Sequence, residues 1–125
     1  MKILLDQNAP APLARFLPGH DVTHASTLGW QELTNGDRLA AAEADGFELF
    51  ISADKNIRYQ QNLTERTIAL IVLSTNDWPT VRGQFDLVAD AANASRPGSY
   101  TEVAFTLRHL VRRLYNPSDA NCRNR

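Results

Sequence analysis

Short apolar runs alternate with stretches of helical spacing along this chain. Lys2-Ile3-Leu4-Leu5-Asp6 is a β-type run that ends in a carboxylate and is stopped by Gln7-Asn8-Ala9-Pro10. Pro12 can open a helix, where its missing N–H costs nothing, and Leu13, Phe16 and Leu17 carry helical spacing up to Pro18-Gly19. Asp21 to Ala25 reads as a second, weaker strand. Thr34 or Asn35 can cap a helix running through Leu39, Ala40, Ala41, Ala42 and Ala44, with Gly46 at its exit. Phe47 to Ser52 predicts a third strand, again followed by a carboxylate, Asp54. Ile57 to Leu63 fits a short helix or an irregular link. Thr67 to Leu73 is the strongest strand signal and is apolar on both faces, as a central parallel strand must be. Pro79 opens a helix carrying Val81, Phe85, Val88, Ala89 and Ala92, closed near Pro97-Gly98. Ser99 to Phe105 reads as a last strand.

Strands alternating with helices predict a three-layer α/β/α domain on a mainly parallel sheet over residues 1–105. Beyond it, Leu107, Leu110, Val111 and Leu114 fall at i, i+3, i+4 and i+7, so residues 106–125 are expected to form a basic C-terminal helix and a disordered tail. That helix is expected to dock on this domain or on a second copy, or simply to seal the sheet.

Composition narrows the class. With 125 residues, 43% hydrophobic and 22% charged, the chain makes one ordinary globular domain. A net charge of −1 supplies no whole-chain basic field for nucleic acid. The charge is nevertheless unevenly placed. Residues 106–125 carry Arg108, Arg112, Arg113, Arg123 and Arg125 against Asp119 alone, a net of +4, which leaves −5 on residues 1–105. Cys122 is the single cysteine, so neither an intramolecular disulfide nor a thiolate metal cluster is expected. No apolar run approaches the ~20 residues of a membrane span, and Asp6 arrives too early for a signal peptide. The expectation is a cytoplasmic protein without a membrane.

Chemistry is expected where the carboxylates fall. In a parallel sheet, ligands bind outside the carboxyl ends of the strands. Asp6 ends the first strand, Asp54 follows the third, and Asp37 lies in the first turn of a helix starting at that same edge. Three carboxylates held close repel one another, and removing one is expected to relieve the metal-free fold. A divalent cation is the usual neutraliser, and Mg²⁺ suits an all-oxygen donor set and phosphoryl chemistry. The same residues also fit simple roles, Asp6 and Asp54 capping turns and Asp37 favoured by the helix dipole.

Ile3-Leu4-Leu5-Asp6-Gln7-Asn8, Asp37-Arg38-Leu39-Ala40-Ala41-Ala42 and Ser52-Ala53-Asp54-Lys55-Asn56 resemble, in order, the strand, helix-start and strand-exit motifs of PIN-like domains. Gly19-His20-Asp21-Val22 and Leu28-Gly29-Trp30 add a likeness to the small stand-alone, VapC-like members often encoded beside short antitoxins. The resemblance covers about residues 1–105. It implies a Mg²⁺- or Mn²⁺-dependent endoribonuclease, the toxin of a toxin–antitoxin pair, with Asp6, Asp37 and Asp54 as catalytic and metal-site carboxylates. Larger PIN domains carry a further acidic helix before the D-x-L-x-A-A segment, and that region is shortened here.

Around these acids, Asn8 can orient a metal-bound water or close an Asx turn. Lys55 and Arg58 can hold a substrate phosphate, and Asn76, after the strongest strand, can serve the same edge or help cap the next helix. Arg108, Arg112 and Arg113 are candidates for an acidic partner or for phosphates. The expected partners are RNA, a short cognate antitoxin and a second copy of the chain. Two other readings compete. A phosphoacceptor receiver-like module needs a lysine after a late strand, and Lys2 and Lys55 are both misplaced. A catalytically decayed PIN-like protein acting as a binding or partner subunit would explain the shortened acidic set.

Overall fold

The structure is a computed structural model that describes residues 1–30, 33–55 and 66–105. Five strands form one sheet: β1 (Lys2–Leu5), β2 (Asp21–His24), β3 (Leu49–Ser52), β4 (Ala69–Leu73) and β5 (Tyr100–Val103). Every neighbouring pair is parallel, and the order is β2-β1-β3-β4-β5. All five strands expected from the apolar runs are present, each trimmed at its ends. β3 and β4 are buried along their whole length, which is why they read as continuous apolar runs without alternation.

Side-chain alternation splits the core into two layers. Ile3, Leu5, Leu49, Ile51, Ala69, Ile71 and Leu73 face one side and meet Leu13, Val81, Val88 and Ala92. Leu4, Phe50, Leu70 and Val72 face the other and meet Ala25, Leu39, Ala42 and Phe47. The second layer is built by the 3-10 turn Ala25–Leu28 and by helix α1 (Asn35–Ala44). Thr34 is the residue that caps α1, its Oγ1 accepting from the Asp37 N–H at 3.2 Å. The three-layer α/β/α architecture expected from the pattern is what the chain adopts.

Two helices differ from the expectation. Pro12 sits in a 3-10 helix, Ala11–Phe16, instead of an α-helix; Pro10 offers no side chain to cap the first N–H groups, and the segment is too short to propagate α geometry. The helix opened by Pro79 is broken in two, α2 (Trp78–Gly83) and α3 (Phe85–Ala94), at Gln84, whose φ of −135° and ψ of 32° leave helical space. Gly83 weakens the helix just before the break. Val81 and Val88 stay in the core, while Phe85, expected on the same stripe, turns out to be 39% exposed. It stacks instead on Phe16, 4.9 Å between centroids, and Phe16 in turn meets Trp78 edge-on at 5.5 Å.

The amino-terminal edge is held by charge. Glu43, near the end of α1, accepts from Arg66, from the backbone and hydroxyl of Thr67 and from the Ile68 N–H, fixing the entry to β4. Burial pushes its carboxyl pKa up, but those donors outweigh burial and hold it below its ordinary 4.5. A lowered folded-state pKa means stability that is present above about pH 4.5 and is lost as pH falls through the folded value. Glu43→Gln is therefore expected to cost about 1–2 kcal/mol at pH 7. The difference from wild type should shrink at pH 3, as urea denaturation at the two pH values would show.

Residues 56–65 and 106–125 lie outside the described residues, and with them the expected link at 57–63 and the C-terminal apolar stripe. No helix among the described residues is long and apolar enough to cross a membrane.

Candidate functional site

The sheet order reverses at β1, which lies between β2 and β3. Such a reversal is where parallel sheets place their ligand sites, here at the carboxyl ends of β1 and β3. Asp6 is the first residue beyond β1, and its N–H still pairs with the Ile51 carbonyl at 2.8 Å, extending the ladder by one residue. Ser52 closes β3, and Asp54 lies two residues beyond it. The sheet thus delivers both acids to one edge, as their positions in the sequence predict.

Asp6 is fully buried. Its Oδ1 accepts from the Gln7 N–H at 2.8 Å and from Arg38 Nη1 at 2.8 Å, and its Oδ2 accepts from Ser52 Oγ at 2.9 Å. Ser52 Oγ itself accepts from the Asp54 N–H at 3.0 Å, so one hydroxyl joins the two acidic residues. Asn8 clamps the same two strand exits, its Oδ1 accepting from the Ala53 N–H at 3.0 Å and lying 3.3 Å from Ser52 Oγ. Asn8 therefore acts on the loop after β3 and not merely on its own turn.

Asp37 is placed in the first turn of α1, where its side chain is exposed and its N–H is taken by Thr34. The next residue, Arg38, reaches inward to Asp6. Among the described residues no group of three or more His, Cys, Asp or Glu side chains could hold a metal together. Asp6 and the Asp54 backbone are joined through Ser52, and Asp37 is exposed in the first turn of α1 beside Arg38. Carboxylate repulsion is not the dominant force either, since Asp6 is neutralised by a guanidinium. Removing Asp6 would orphan Arg38, so at this position the loss of a carboxylate is expected to destabilise the fold and not to relieve it.

Lys55 is exposed just beyond Asp54. Asn76 is exposed after β4, and it is its neighbour Asp77 that caps α2, accepting from the Thr80 N–H at 3.2 Å. Ser74 Oγ accepts from the Phe105 N–H at 3.0 Å and ties β5 to this edge. Arg58, Arg108, Arg112 and Arg113 lie outside the described residues.

Sequence reasoning missed two members of the site, Arg38 and Ser52. A signal for Arg38 existed: a basic residue in the helix turn expected to meet converging acids is the natural partner of whichever acid is buried. Ser52 had none, because a serine ending a strand is common.

The donors at this edge are carboxylate, hydroxyl and amide oxygens, the hard set that Mg²⁺ and Mn²⁺ prefer. Mg²⁺ is commonly held by one or two carboxylates, with waters and substrate phosphate completing the shell, so Asp6 and Asp54 form a donor set that fits. A separate cleft of about 530 Å³ opens at the opposite edge, lined by Met1, Glu43, Phe47, Glu48, Thr67 and Arg96. Its Glu43 is committed to the β4 entry, and the cleft takes no part in the acidic edge. No protein-family model, curated protein or solved structure matches the chain.

Proposed function

We propose that this protein is a metal-dependent endoribonuclease of PIN-like type, acting in the cytoplasm as the toxin of a toxin–antitoxin pair. The observation that carries the reading is the delivery of Asp6 and Asp54 to one edge by adjacent parallel strands where the strand order reverses. Asp6 and Asp54 would hold Mg²⁺ or Mn²⁺, with Asp37 contributing at the rim. A bound cation would stabilise charge on the phosphoryl and leaving oxygens and lower the pKa of attacking water.

The chain's own residues supply the rest. Ser52 and Asn8 lock the exits of β1 and β3 together, which fixes the spacing of the acids. Lys55, exposed beside them, presents a point charge to the RNA backbone, and Arg58 and Asn76 are assigned the same task. Arg108, Arg112 and Arg113, in the basic C-terminal segment, are assigned to an acidic antitoxin, a second copy or RNA.

Incubating the protein with RNA and Mg²⁺ or Mn²⁺, with and without chelator, tests this directly. Cleavage that stops on chelation is expected; intact RNA under both metals would end the enzyme reading. A second reading, a catalytically decayed protein serving as a binding or partner subunit, is favoured by the Arg38–Asp6 bond, since a guanidinium already neutralises the buried acid. Protein that binds RNA but neither cleaves it nor takes up Mn²⁺ would establish that alternative.

A further inference from the structure

Arg38 and Asp6 form a buried ion pair in which the arginine is anchored from two sides. Arg38 is only 8% exposed, and Asp6 is fully buried. Arg38 Nη1 donates to Asp6 at 2.8 Å, while Nε and Nη2 both donate to the Leu33 carbonyl, at 3.0 and 2.7 Å. The guanidinium is therefore tethered to the edge of the site by a carbonyl that is independent of the carboxylate.

Asp6 accepts two donors on Oδ1 and one on Oδ2, so a divalent cation that bonds to Oδ1 must displace one of the two held there. The Gln7 N–H is fixed by the backbone. Ser52 Oγ is neutral and can turn its proton toward Asn8 Oδ1, 3.3 Å away. Arg38 alone carries the same sign of charge as the incoming ion and is repelled by it. Once off Asp6, a guanidinium still held by Leu33 has its Nη1 donor released, on a planar fork that suits a phosphate.

We propose that Arg38 is the internal counter-ion of this site: it neutralises Asp6 in the metal-free protein, yields Asp6 to a divalent cation, and then holds a phosphate of the RNA backbone. The proposal rests on the metal-dependent ribonuclease reading. It makes the metal-free protein a self-blocked form, switched on by a cation that outcompetes one hydrogen-bonded arginine.

Calorimetric titration with Mn²⁺ of the full chain, wild type against Arg38→Gln, measures the competition without reference to activity. Binding about tenfold tighter or more is expected for Arg38→Gln. Equal or weaker binding by that variant overturns the displacement and leaves the metal site standing. Absence of binding by both proteins removes the metal site and the proposal with it. Should Arg38→Gln fail to fold, the wild-type protein provides the measurement: the Arg38 Nε–H resonance is expected to shift on saturation with Mg²⁺, and a resonance that stays fixed while Asp6 responds overturns the proposal. A phosphate-holding role is read separately. A doubly active cation site in Arg38→Gln, tighter for metal but weaker for an uncleaved RNA strand in Ca²⁺, supports it, and unchanged RNA affinity removes that half.

Discussion

Asp54→Asn is expected to abolish RNA cleavage and growth arrest while the chain still folds. A loss of ~10³-fold in rate corresponds to about 4 kcal/mol of transition-state stabilisation, the scale expected when one of two carboxylates holding a catalytic cation loses its charge. Asp54 is the better probe of the two acids because of where each sits. Asp6 is fully buried and bonded to Arg38, so altering it changes stability and chemistry together. Asp54 is half-buried beyond the strand, and the bond it makes to Ser52 runs through its backbone N–H, which the substitution keeps. Cleavage by purified protein with Mg²⁺ or Mn²⁺, paired with circular dichroism to confirm the fold, separates the two effects. Full cleavage by folded Asp54→Asn would remove this residue from the chemistry.

The features legible in the sequence were those set by local pattern. Ala69–Leu73 is buried on both faces, and only an apolar run bounded by polar residues can satisfy that position. Asp6 and Asp54 could be assigned to one edge because parallel strands all point the same way. Less legible was anything that depends on how one element meets another. Arg38 and Asp6 are 32 residues apart, and their bond exists only because α1 packs over the β1 side of the sheet. Phe85 shares the spacing of Val81 and Val88, yet a non-helical Gln84 rotates it out toward Phe16. Helical spacing predicts a face only while the helix is continuous, and nothing local marked Gln84 as the break beyond the glycine before it. Asp37 and Arg38 show the same limit at finer scale: successive helix positions point about 100° apart, so which of the two neighbours turns inward is set by how α1 is rotated against the sheet.

Replacing Arg38 is expected to have the largest effect on stability of any change at this edge. Arg38→Met keeps much of the side chain's length but leaves Asp6 charged, fully buried and without its cation. Breaking a buried pair from one side costs about 3–5 kcal/mol, because the remaining charge has lost its water and gained nothing in return. Solvent offers little relief, since the side chains of Arg38 and Asp6 are only 10% and 0% exposed. The Gln7 N–H and Ser52 Oγ still donate to Asp6, which keeps the cost within that range instead of beyond it. Asp6→Asn in the same chain should recover much of the loss, because the pair would then be replaced by neutral groups on both sides. Urea denaturation of the two single variants and the double variant closes the cycle. A double variant no more stable than Arg38→Met would show that Arg38 matters for its two bonds to Leu33 and not for the charge of Asp6. Adding Mn²⁺ extends the comparison: a cation that takes the place of the guanidinium should stabilise Arg38→Met more than wild type, and should leave the Asp6→Asn double variant least affected.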